Sequence, residues 1–501
     1  MDIILTCDIG TTACKCTAFS REGDKLADVR IEYATEYPRP GWAQQSADMF
    51  ADAAFRGLRA LSGSIDPRDV RVIGLSGQMN ALIPVSKEGN ALYPSMIHSD
   101  SRSAPQIAEV AAHISPDEFY KLTGNRLDCH YTLTKLLWLR RHMPDIYKDM
   151  RWALQSKDYV YSKLTGHAGT TDYSDASLTI ALDISSGKWA EDLLRELGID
   201  PGIMPRILPA HDVSGRLCAQ AARFTGLLEG TPVAIGGGDG ACAARGAGLK
   251  GLGEAYCCIG SSAWVAQFTR SPLLDEKARV FNYFDLDGQH NYVCGTLQCG
   301  AAAYDWARSL MGLDGAGGIE AMEGMASQIG PGADGVIFFP ELMGSRSPYW
   351  DPQNRGCLCG FTLYHDRRHV ARAVYEGVAQ GLYSCGLAMA ENGLPVNSLM
   401  LTGGGARSRL WPEMLSALYR CPVSVHSVPG EATSMGAAIA AGVGAGLYAD
   451  YAEGASLVRA SHTVKSDEGL CEAYAMIYDV FSKVYGQISP IHRALRQMNK
   501  D

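Results

Sequence analysis

The same short pattern occurs twice in this chain, about half a chain apart. Residues 7–13 read CDIGTTA, residues 257–263 read CCIGSSA, and strand-like runs flank both copies. Each copy predicts a β-hairpin whose turn is a glycine followed by two hydroxyl residues. A match this short can arise by chance, but a repeated supersecondary unit is typical of a chain built from two related lobes. We place the lobe boundary near residue 245, with an N-terminal lobe over 1–245 and a C-terminal lobe over 246–501.

The length and the local patterns fit such a division. A chain of 501 residues is longer than a single hydrophobic core usually supports. Strand and helix patterns alternate throughout, which predicts an α/β protein whose sheets are covered by helices. The apolar runs at 3–7, 15–19 and 26–33 predict a three-stranded meander, and a helix is expected from about Ala47. The segment 115–118 reads as a capping box at the start of another helix.

Charge and cysteine usage narrow the class of partner. The formal net charge is −9 and no basic stripe is present, so we expect a small-molecule partner and no nucleic acid. The first residues lack the basic segment of a signal peptide, which predicts a cytoplasmic protein. No apolar stretch reaches the roughly 20 residues that a membrane span requires, so no membrane contact is expected. Fifteen cysteines, an odd number without a secretory signal, predict reduced thiols.

Both predicted turns have the composition of a phosphate site. A glycine at a tight turn lets backbone N–H groups point at an anion, while the two hydroxyls can donate to its oxygens. The residues concerned are Gly10, Thr11 and Thr12 in the first copy and Gly260, Ser261 and Ser262 in the second. For either turn alone, an ordinary hairpin turn is the simpler interpretation.

A third glycine-rich segment favours the nucleotide interpretation. An apolar strand at 399–401 leads into TGGGA at 402–406, and a helix is expected from about Ser408. Backbone without side chains can lie flat against a nucleotide. Three such turns in two lobes predict a nucleotide-binding cleft.

Two carboxylates stand where chemistry could occur. Asp8 ends a strand just before the first turn, where it could hold Mg²⁺ through water or simply cap its turn. Asp239 follows an apolar run at 232–235 and three glycines, and a helix is expected to begin at this residue. It could cap that helix or accept a proton. The two roles are compatible, because a helix N-terminus favours the ionised carboxylate and would keep it ready to accept a proton at neutral pH.

Other catalytic signatures are absent or incomplete. The chain contains no GxxxxGK[ST] loop, no GxSxG elbow and no HExxH pair. Gly238, Gly240 and Ala243 satisfy a loose dinucleotide pattern, but no acidic residue follows on a second strand about 20 residues later. A dehydrogenase is therefore not favoured.

Taken together, these motifs resemble those of the FGGY-type carbohydrate kinases over nearly the whole chain, and those of the xylulokinase branch most closely. The matching segments are 8–12 with Lys15, 74–79, Asp100 with Arg102, 171–176, 236–239, 260–262, 339–348, 403–408 and 431–438. The resemblance implies two ribonuclease-H-like lobes, of the actin and hexokinase type, that close on a catalytic cleft. It also implies that ATP lies mainly on the second lobe and the sugar mainly on the first.

The resemblance assigns a role to each matching residue. Asp239 corresponds to the catalytic base and Asp8 to the metal-associated acid, and the implied cofactors are ATP and Mg²⁺. The residues expected to bind ATP are Gly10, Thr11, Thr12, Lys15, Gly260, Ser261, Ser262, Gly404, Gly405 and Ala406. Those expected to bind the acceptor are Gln78, Met79, Asn80, Asp100 and Asp239.

The acceptor side departs from the xylulokinase pattern in two motifs. Asn80 stands where those enzymes have His, and His98 and Ser99 stand where they have Trp and Asn. Since sites built to hydrogen-bond a hydroxyl discriminate strongly, these changes leave the acceptor open. D-xylulose is the first expectation, with ribulose, a tetritol or gluconate as alternatives within the family. Outside it, the alternative is a non-catalytic actin-like ATPase or sensor. The oligomeric state also stays open, a homodimer included.

Overall fold

The computed structural model describes residues 1–498. The strands of the first half are β1 (Ile3–Ile9), β2 (Ala13–Ser20), β3 (Lys25–Glu32), β4 (Gln44–Gln45), β5 (Val70–Gly77), β6 (Ile83–Val85), β7 (Ser95–Met96), β8 (Trp152–Leu154), β9 (Thr170–Asp172), β10 (Leu182–Asp183), β11 (Lys188–Trp189), β12 (Arg206–Leu208), β13 (Gly215–Arg216), β14 (Pro232–Val233) and β15 (Gly237–Gly238). Its helices are α1 (Ala47–Ser62), α2 (Gln106–Ala111), α3 (Pro116–Thr123), α4 (Thr132–His142), α5 (Pro144–Asp149), α6 (Ser156–Thr165), α7 (Tyr173–Ser177), α8 (Glu191–Glu196), α9 (Ala219–Thr225) and α10 (Asp239–Gly246).

The second half continues the same alternation of strands and helices. Its strands are β16 (Glu254–Ile259), β17 (Ala263–Thr269), β18 (Phe281–Phe284), β19 (Asn291–Leu297), β20 (Ile337–Phe339), β21 (Cys357–Cys359), β22 (Ser398–Thr402), β23 (Val423–His426) and β24 (Ala460–Val464). Its helices are α11 (Ala301–Leu310), α12 (Gly318–Ala326), α13 (Arg367–Ala390), α14 (Leu410–Tyr419), α15 (Ala432–Gly444), α16 (Tyr451–Ala455) and α17 (Glu468–Met498).

The first large sheet has the strand order β13-β14-β5-β1-β2-β3, with β15 added beside β5. Strands β1, β2 and β3 form an antiparallel meander, and β5 lies parallel to β1. The predicted meander is confirmed, as is the helix that begins at Ala47. β1 is buried almost throughout because helices cover both faces of the sheet at its centre.

The second large sheet has the order β18-β19-β17-β16-β22-β23-β24. Strands β16, β17 and β19 are antiparallel, whereas β22 lies parallel to β16 and β23 parallel to β22. The series β3-β2-β1-β5-β14 therefore repeats as β19-β17-β16-β22-β23 with the same directions. The two lobes inferred from the repeated turn share one architecture, although the exact boundary near residue 245 stays a prediction.

The lobes meet where two helices cross between the sheets. A Cβ added to Gly246 of α10 would lie 1.7 Å from the Ala432 carbonyl oxygen, and one on Gly436 of α15 would lie 1.8 Å from that of Cys242. α15 also packs against the first sheet, since a Cβ on Gly74 of β5 would lie 2.5 Å from the Ala437 carbonyl oxygen. Only glycine permits approaches this close, so these positions hold the backbones of the two halves in contact.

Other local predictions can be compared directly with the structure. The capping box at the start of α3 is confirmed, with the Ser115 side chain accepting from the Glu118 backbone. All fifteen cysteines are free. Within residues 1–498, the helices are too short or too polar to cross a membrane.

Candidate active site

A cavity of about 270 Å³ lies between the two lobes. The first half contributes to its wall Thr11, Gln78, Met79, Asn80, His98 and Asp239. The second half contributes Ser262, Trp264, Thr296 and Arg346, among others. The structure thus brings one hydroxyl from each repeated turn to the same cavity as Asp239 and the Gln-Met-Asn segment.

Asp239 reaches this cavity because glycines carry the chain closely past β5. Gly236 has a φ of +72°, and a Cβ there would lie 1.9 Å from the Leu75 carbonyl oxygen. A Cβ on Gly238 would meet the Met79 side chain at 2.4 Å. A side chain does not fit at the first position and would displace Met79 at the second. The three glycines therefore deliver Asp239 to the cavity wall at the start of α10.

The protonation of Asp239 differs from the expectation. Asp239 is the first residue of α10, and Gly238 is the N-cap without a side-chain capping bond, so Asp239 does not cap the helix. Burial and the nearby Asp8 carboxylate raise the pKa of Asp239 to about 7, while the backbone hydrogen bond from Gly240 opposes this rise. Desolvation outweighs the helix terminus, which by itself would favour the ionised form. The carboxyl group is therefore poised near neutral pH rather than held ionised.

Asp8 lies beside the first turn, as expected from the sequence. Its Oδ1 atom is buried and has no hydrogen-bond partner within residues 1–498. Burial raises the pKa of Asp8 to about 6, although Lys15 lowers it. A buried carboxylate oxygen without a partner has spare capacity for a metal-bound water.

Lys15 has a partner that the sequence does not predict. It faces Asp8 across β1 and β2, but its Nζ pairs with Glu431 Oε1 at 2.6 Å. Lys25 pairs with the same oxygen at 3.0 Å. The structure thus places Lys15 in an ion pair between the lobes, outside the cavity wall. Its predicted contact with ATP stays a prediction.

The first turn is held by hydrogen bonds to the segment that is expected to bind the sugar acceptor. Gly10 N–H donates to the Ala13 carbonyl at 3.0 Å, and Thr11 Oγ1 donates to Gln78 Oε1 at 3.4 Å. Gln45 Nε2 donates to the Thr11 carbonyl at 2.7 Å. Thr12 is exposed. The turn is therefore held by Gln78, which lines the cavity, and by Gln45, which accepts a hydrogen bond from Gln78 Nε2 at 2.9 Å.

The second turn is fastened to a helix. The N–H groups of Ala301 and Gly300, at the start of α11, donate to the carbonyls of Gly260 at 2.7 Å and Ser261 at 2.8 Å. Ser261 is exposed, and Ser262 lines the cavity. These bonds use the turn's carbonyls and leave both hydroxyls available.

The segment expected to bind adenosine packs against the end of β16, next to this second turn. A Cβ on Gly403 would lie 2.7 Å from the Ile259 carbonyl oxygen, and one on Gly405 would meet the Ile259 side chain at 2.6 Å. Gly404 is open, since its nearest atom would be 4.0 Å away, and Ala406 is buried. The segment presents bare backbone beside Gly260, as a nucleotide site requires.

The predicted acceptor residues separate into two groups. Gln78, Met79 and Asn80 line the cavity, and Asn80 adopts a φ of +64° that asparagine tolerates well. Asp100 does not line it. Its carboxylate is fully buried, pairs with Arg102 at 2.7 Å and accepts from the Ala43 N–H at 2.7 Å. Asp100 thus holds the loop behind the wall, and its predicted contact with the acceptor stays a prediction.

Sequence reasoning missed a cationic region of the cavity. Arg346 lines the wall and forms no ion pair within residues 1–498, with only Tyr131 Oη at 3.5 Å as a polar contact. Lys135 lies behind the wall and donates to the carbonyls of Asn80, Ile97 and His130 at 2.6 to 2.8 Å. Arg346 lies inside the matched segment 339–348, and this match is the sequence signal that could have revealed it. No comparable sequence signal points to Lys135.

Comparison with known proteins agrees with this geometry. The family model for the N-terminal domain of the FGGY family of carbohydrate kinases matches residues 3–246, and the model for its C-terminal domain matches residues 255–445. With the two-lobed fold and its cavity, these matches define the protein as an ATP-dependent carbohydrate kinase. The chain belongs to the FGGY family of carbohydrate kinases, and the expected fold of two ribonuclease-H-like lobes is confirmed.

The individual relatives are named for different sugar acceptors. The chain is 28% identical over 509 residues to a xylulose kinase from Bacillus subtilis, covering all of both chains. It is 29% identical over 459 residues to a gluconokinase from the same organism, covering 89% of this chain and 87% of the other. A crystal structure of a xyloylose kinase from Brucella ovis superposes with a TM-score of 0.91 at 27% identity, over 98% of this chain and 100% of the other.

Proposed function

We propose that this kinase transfers the γ-phosphoryl group of Mg-ATP to a terminal hydroxyl of a small open-chain sugar, with Asp239 as the general base. The observation that carries the proposal is the position of Asp239 in the cavity between the lobes, where it has no ion-pair partner among residues 1–498 and a pKa near 7. A base with a pKa close to the working pH combines a useful ionised fraction with a strong pull on the proton. Asp239 would orient the acceptor hydroxyl and take its proton as the phosphoryl group moves.

The residues around the turns fit the nucleotide and its metal. Backbone N–H groups and hydroxyls of the two turns would hold the phosphates, and the open backbone at Gly404 would lie against the adenosine. The Oδ1 atom of Asp8, which has no hydrogen-bond partner in the described part of the chain, fits a water in the shell of Mg²⁺. When bound, Mg²⁺ supplies neutralisation of the charge on the transferring phosphoryl group.

D-xylulose is our first candidate acceptor, supported by the xylulose kinases among the relatives. A sugar acid such as gluconate is the second candidate, and it is favoured by Arg346 in the cavity, which forms no ion pair with any other described residue. A carboxylate at the far end of the acceptor would find a bidentate donor there. Ribulose and a tetritol also stay among the candidate acceptors, because Asn80 stands where the xylulokinases have His.

The test is an ADP-release assay over a panel of pentuloses, polyols and sugar acids that includes gluconate with its neutral counterpart glucitol. Sugar-dependent ADP release is expected, and its absence for every acceptor would leave the protein a sensor or an ATPase. Asn80→His should move the ranking toward D-xylulose, because the ring restores the reach and donor pattern of the relatives. An unchanged ranking in a folded variant would remove Asn80 from acceptor choice. If the sugar acid is the substrate, Arg346→Gln should lower kcat/KM for gluconate much more than kcat/KM for glucitol.

A further inference from the structure

The glycine segment before Asp239 is held by the start of α7. Gly238 N–H donates to Ser174 Oγ at 2.9 Å. A Cβ on the preceding Gly237 would lie 3.2 Å from the same Ser174 oxygen. Ser174 is buried and does not line the cavity. It contacts the backbone one residue before the proposed base without reaching the acceptor.

The hydroxyl of Ser174 has a fixed direction. Ser174 Oγ donates to Asp172 Oδ2 at 2.5 Å, and Ser174 N–H donates to the same oxygen at 2.8 Å. Because the Gly238 N–H can only donate, Ser174 Oγ accepts there, and its own proton points to Asp172. The acceptor for the Gly238 N–H is thus pre-oriented.

Asp172 is in turn held by a buried cation. Lys157 Nζ lies 2.8 Å from Asp172 Oδ1, 2.7 Å from Asp158 Oδ1 and 3.2 Å from Asp175 Oδ2, and all four side chains are fully buried. Burial raises the pKa of Asp175 well above its usual range, and the carboxylates of Asp172 and Asp158 add to this rise, whereas Lys157 opposes it. The Lys157 ammonium thus fixes the Asp172 carboxyl group in place beside Ser174.

We infer that Ser174, oriented by Asp172 and Lys157, is the positioning residue that sets the place of the Asp239 carboxylate in the cavity. The inference rests on the proposed role of Asp239 as the base. Positioning matters here because displacing a reacting group by about 1 Å can cost a factor on the order of 100 in rate. It also gives the matched segment 171–176 a function outside the cavity wall.

Ser177 supplies a matched control on the same helix. Its Oγ accepts from the Phe284 N–H at 2.9 Å and donates to the Tyr173 carbonyl at 2.6 Å, and it is equally buried. Ser174→Ala and Ser177→Ala each leave one buried N–H without its acceptor, so their losses of thermal stability should be similar. Ser174→Ala should lower kcat about tenfold to a hundredfold with KM for ATP and acceptor within about twofold. Ser177→Ala should keep kcat within about twofold, and equal losses of kcat in both variants would overturn the inference.

A double-mutant cycle separates this inference from the proposed function. In an Asp239→Asn background, Ser174→Ala should cause no further loss, because its effect passes through Asp239. Independent, multiplying losses would overturn the inference. Ser174→Thr, which keeps the hydroxyl, should restore most of kcat. If Ser174→Ala does not fold, Asp172→Asn replaces it in the same comparison. If the Asp239→Asn variant is inactive and the Ser174→Ala variant is fully active, only the inference about Ser174 is wrong. If the Asp239→Asn variant is active, both the proposed base and the inference are wrong.

Discussion

The two repeated turns share a sequence pattern but differ in what stands beside them. In the first lobe Ile9 pairs with Cys14 across the hairpin, whereas in the second Ile259 pairs with Ala263, so the second turn is one residue tighter. Asp8 is the next-to-last residue of β1, and Cys258 occupies the equivalent position in β16. Burial raises the pKa of Cys258 to about 11, so this thiol is neutral. One lobe therefore places a carboxylate at its turn and the other an uncharged group.

This difference suits the two lobes, which share one architecture, to two different tasks in the proposed reaction. The first turn is fastened to Gln78 and Gln45 on the acceptor side, while the second is fastened to α11 and lies against the open backbone at Gly404. Both carboxylates proposed for chemistry, Asp8 and Asp239, belong to the first lobe. We expect the first lobe to carry proton transfer and the metal, and the second to carry nucleotide affinity.

The largest expected effect comes from Asp239→Asn, which keeps the shape of the side chain but cannot take a proton. Turnover should fall by about two to four orders of magnitude, while ATP and acceptor bind with near-normal affinity. Saturation kinetics with calorimetric binding measure both. A variant that keeps most of its turnover would return Asp239 to a structural role and move the search for a base to Asp8.

A matched pair at the strand ends tests the asymmetry directly. Asp8→Asn removes a charge next to the phosphates and should lower kcat on the order of a hundredfold. Cys258→Ser changes the equivalent position of the other lobe without changing charge and should alter kcat less than about threefold. Similar losses from the two substitutions would break the proposed division between the lobes. Titrating Mg²⁺ for each variant shows whether the loss follows the metal.

Alanine in each turn should separate nucleotide from acceptor. A Cβ on Gly260 would lie 3.5 Å from its nearest atom, and one on Gly10 would lie 3.2 Å away, so both variants should fold. Gly260→Ala should raise KM for ATP about tenfold, because a methyl group intrudes where the backbone is proposed to meet phosphate. Gly10→Ala should also disturb the acceptor, since its turn is bonded to Gln78. If Gly260→Ala instead weakened only the acceptor, the nucleotide assignment would be wrong.

A further expected effect concerns the pH dependence of kcat/KM. Because the pKa of Asp239 is raised to about 7, lowering pH through 7 protonates the base and kcat/KM should fall about tenfold per unit. Above that value kcat/KM should be level. Asp8→Asn removes a negative charge that helps to raise the pKa of Asp239. The acid limb of the variant's profile of kcat/KM against pH should therefore move to lower pH. A limb that stays in place in Asp8→Asn would show that burial alone sets the pKa.

The sequence predicted the elements that local patterns determine, and the site residues that lie next to glycines. The meander, the start of α1 and the capping box are local, and Asp239, Thr11 and Ser262 reach the cavity as expected. Asp100 and Lys15 are placed elsewhere because their partners, Arg102 with a buried backbone and Glu431 from the other lobe, depend on tertiary packing. The raised pKa of Asp239 also depends on burial, which a single-sequence pattern does not report.

The crossing of α10 and α15 has a consequence for the growing polypeptide. α15 covers one face of the first sheet, where Ala438 and Ala441 pack with Ile4, Phe19 and Val72. All strands of that sheet are synthesised by residue 238, but α15 is complete only at residue 444. At about 5 to 20 residues per second, that apolar face waits roughly 10 to 40 s for its cover. We therefore expect the first lobe to expose this apolar face during synthesis until α15 covers it, so that one late helix completes both halves at once.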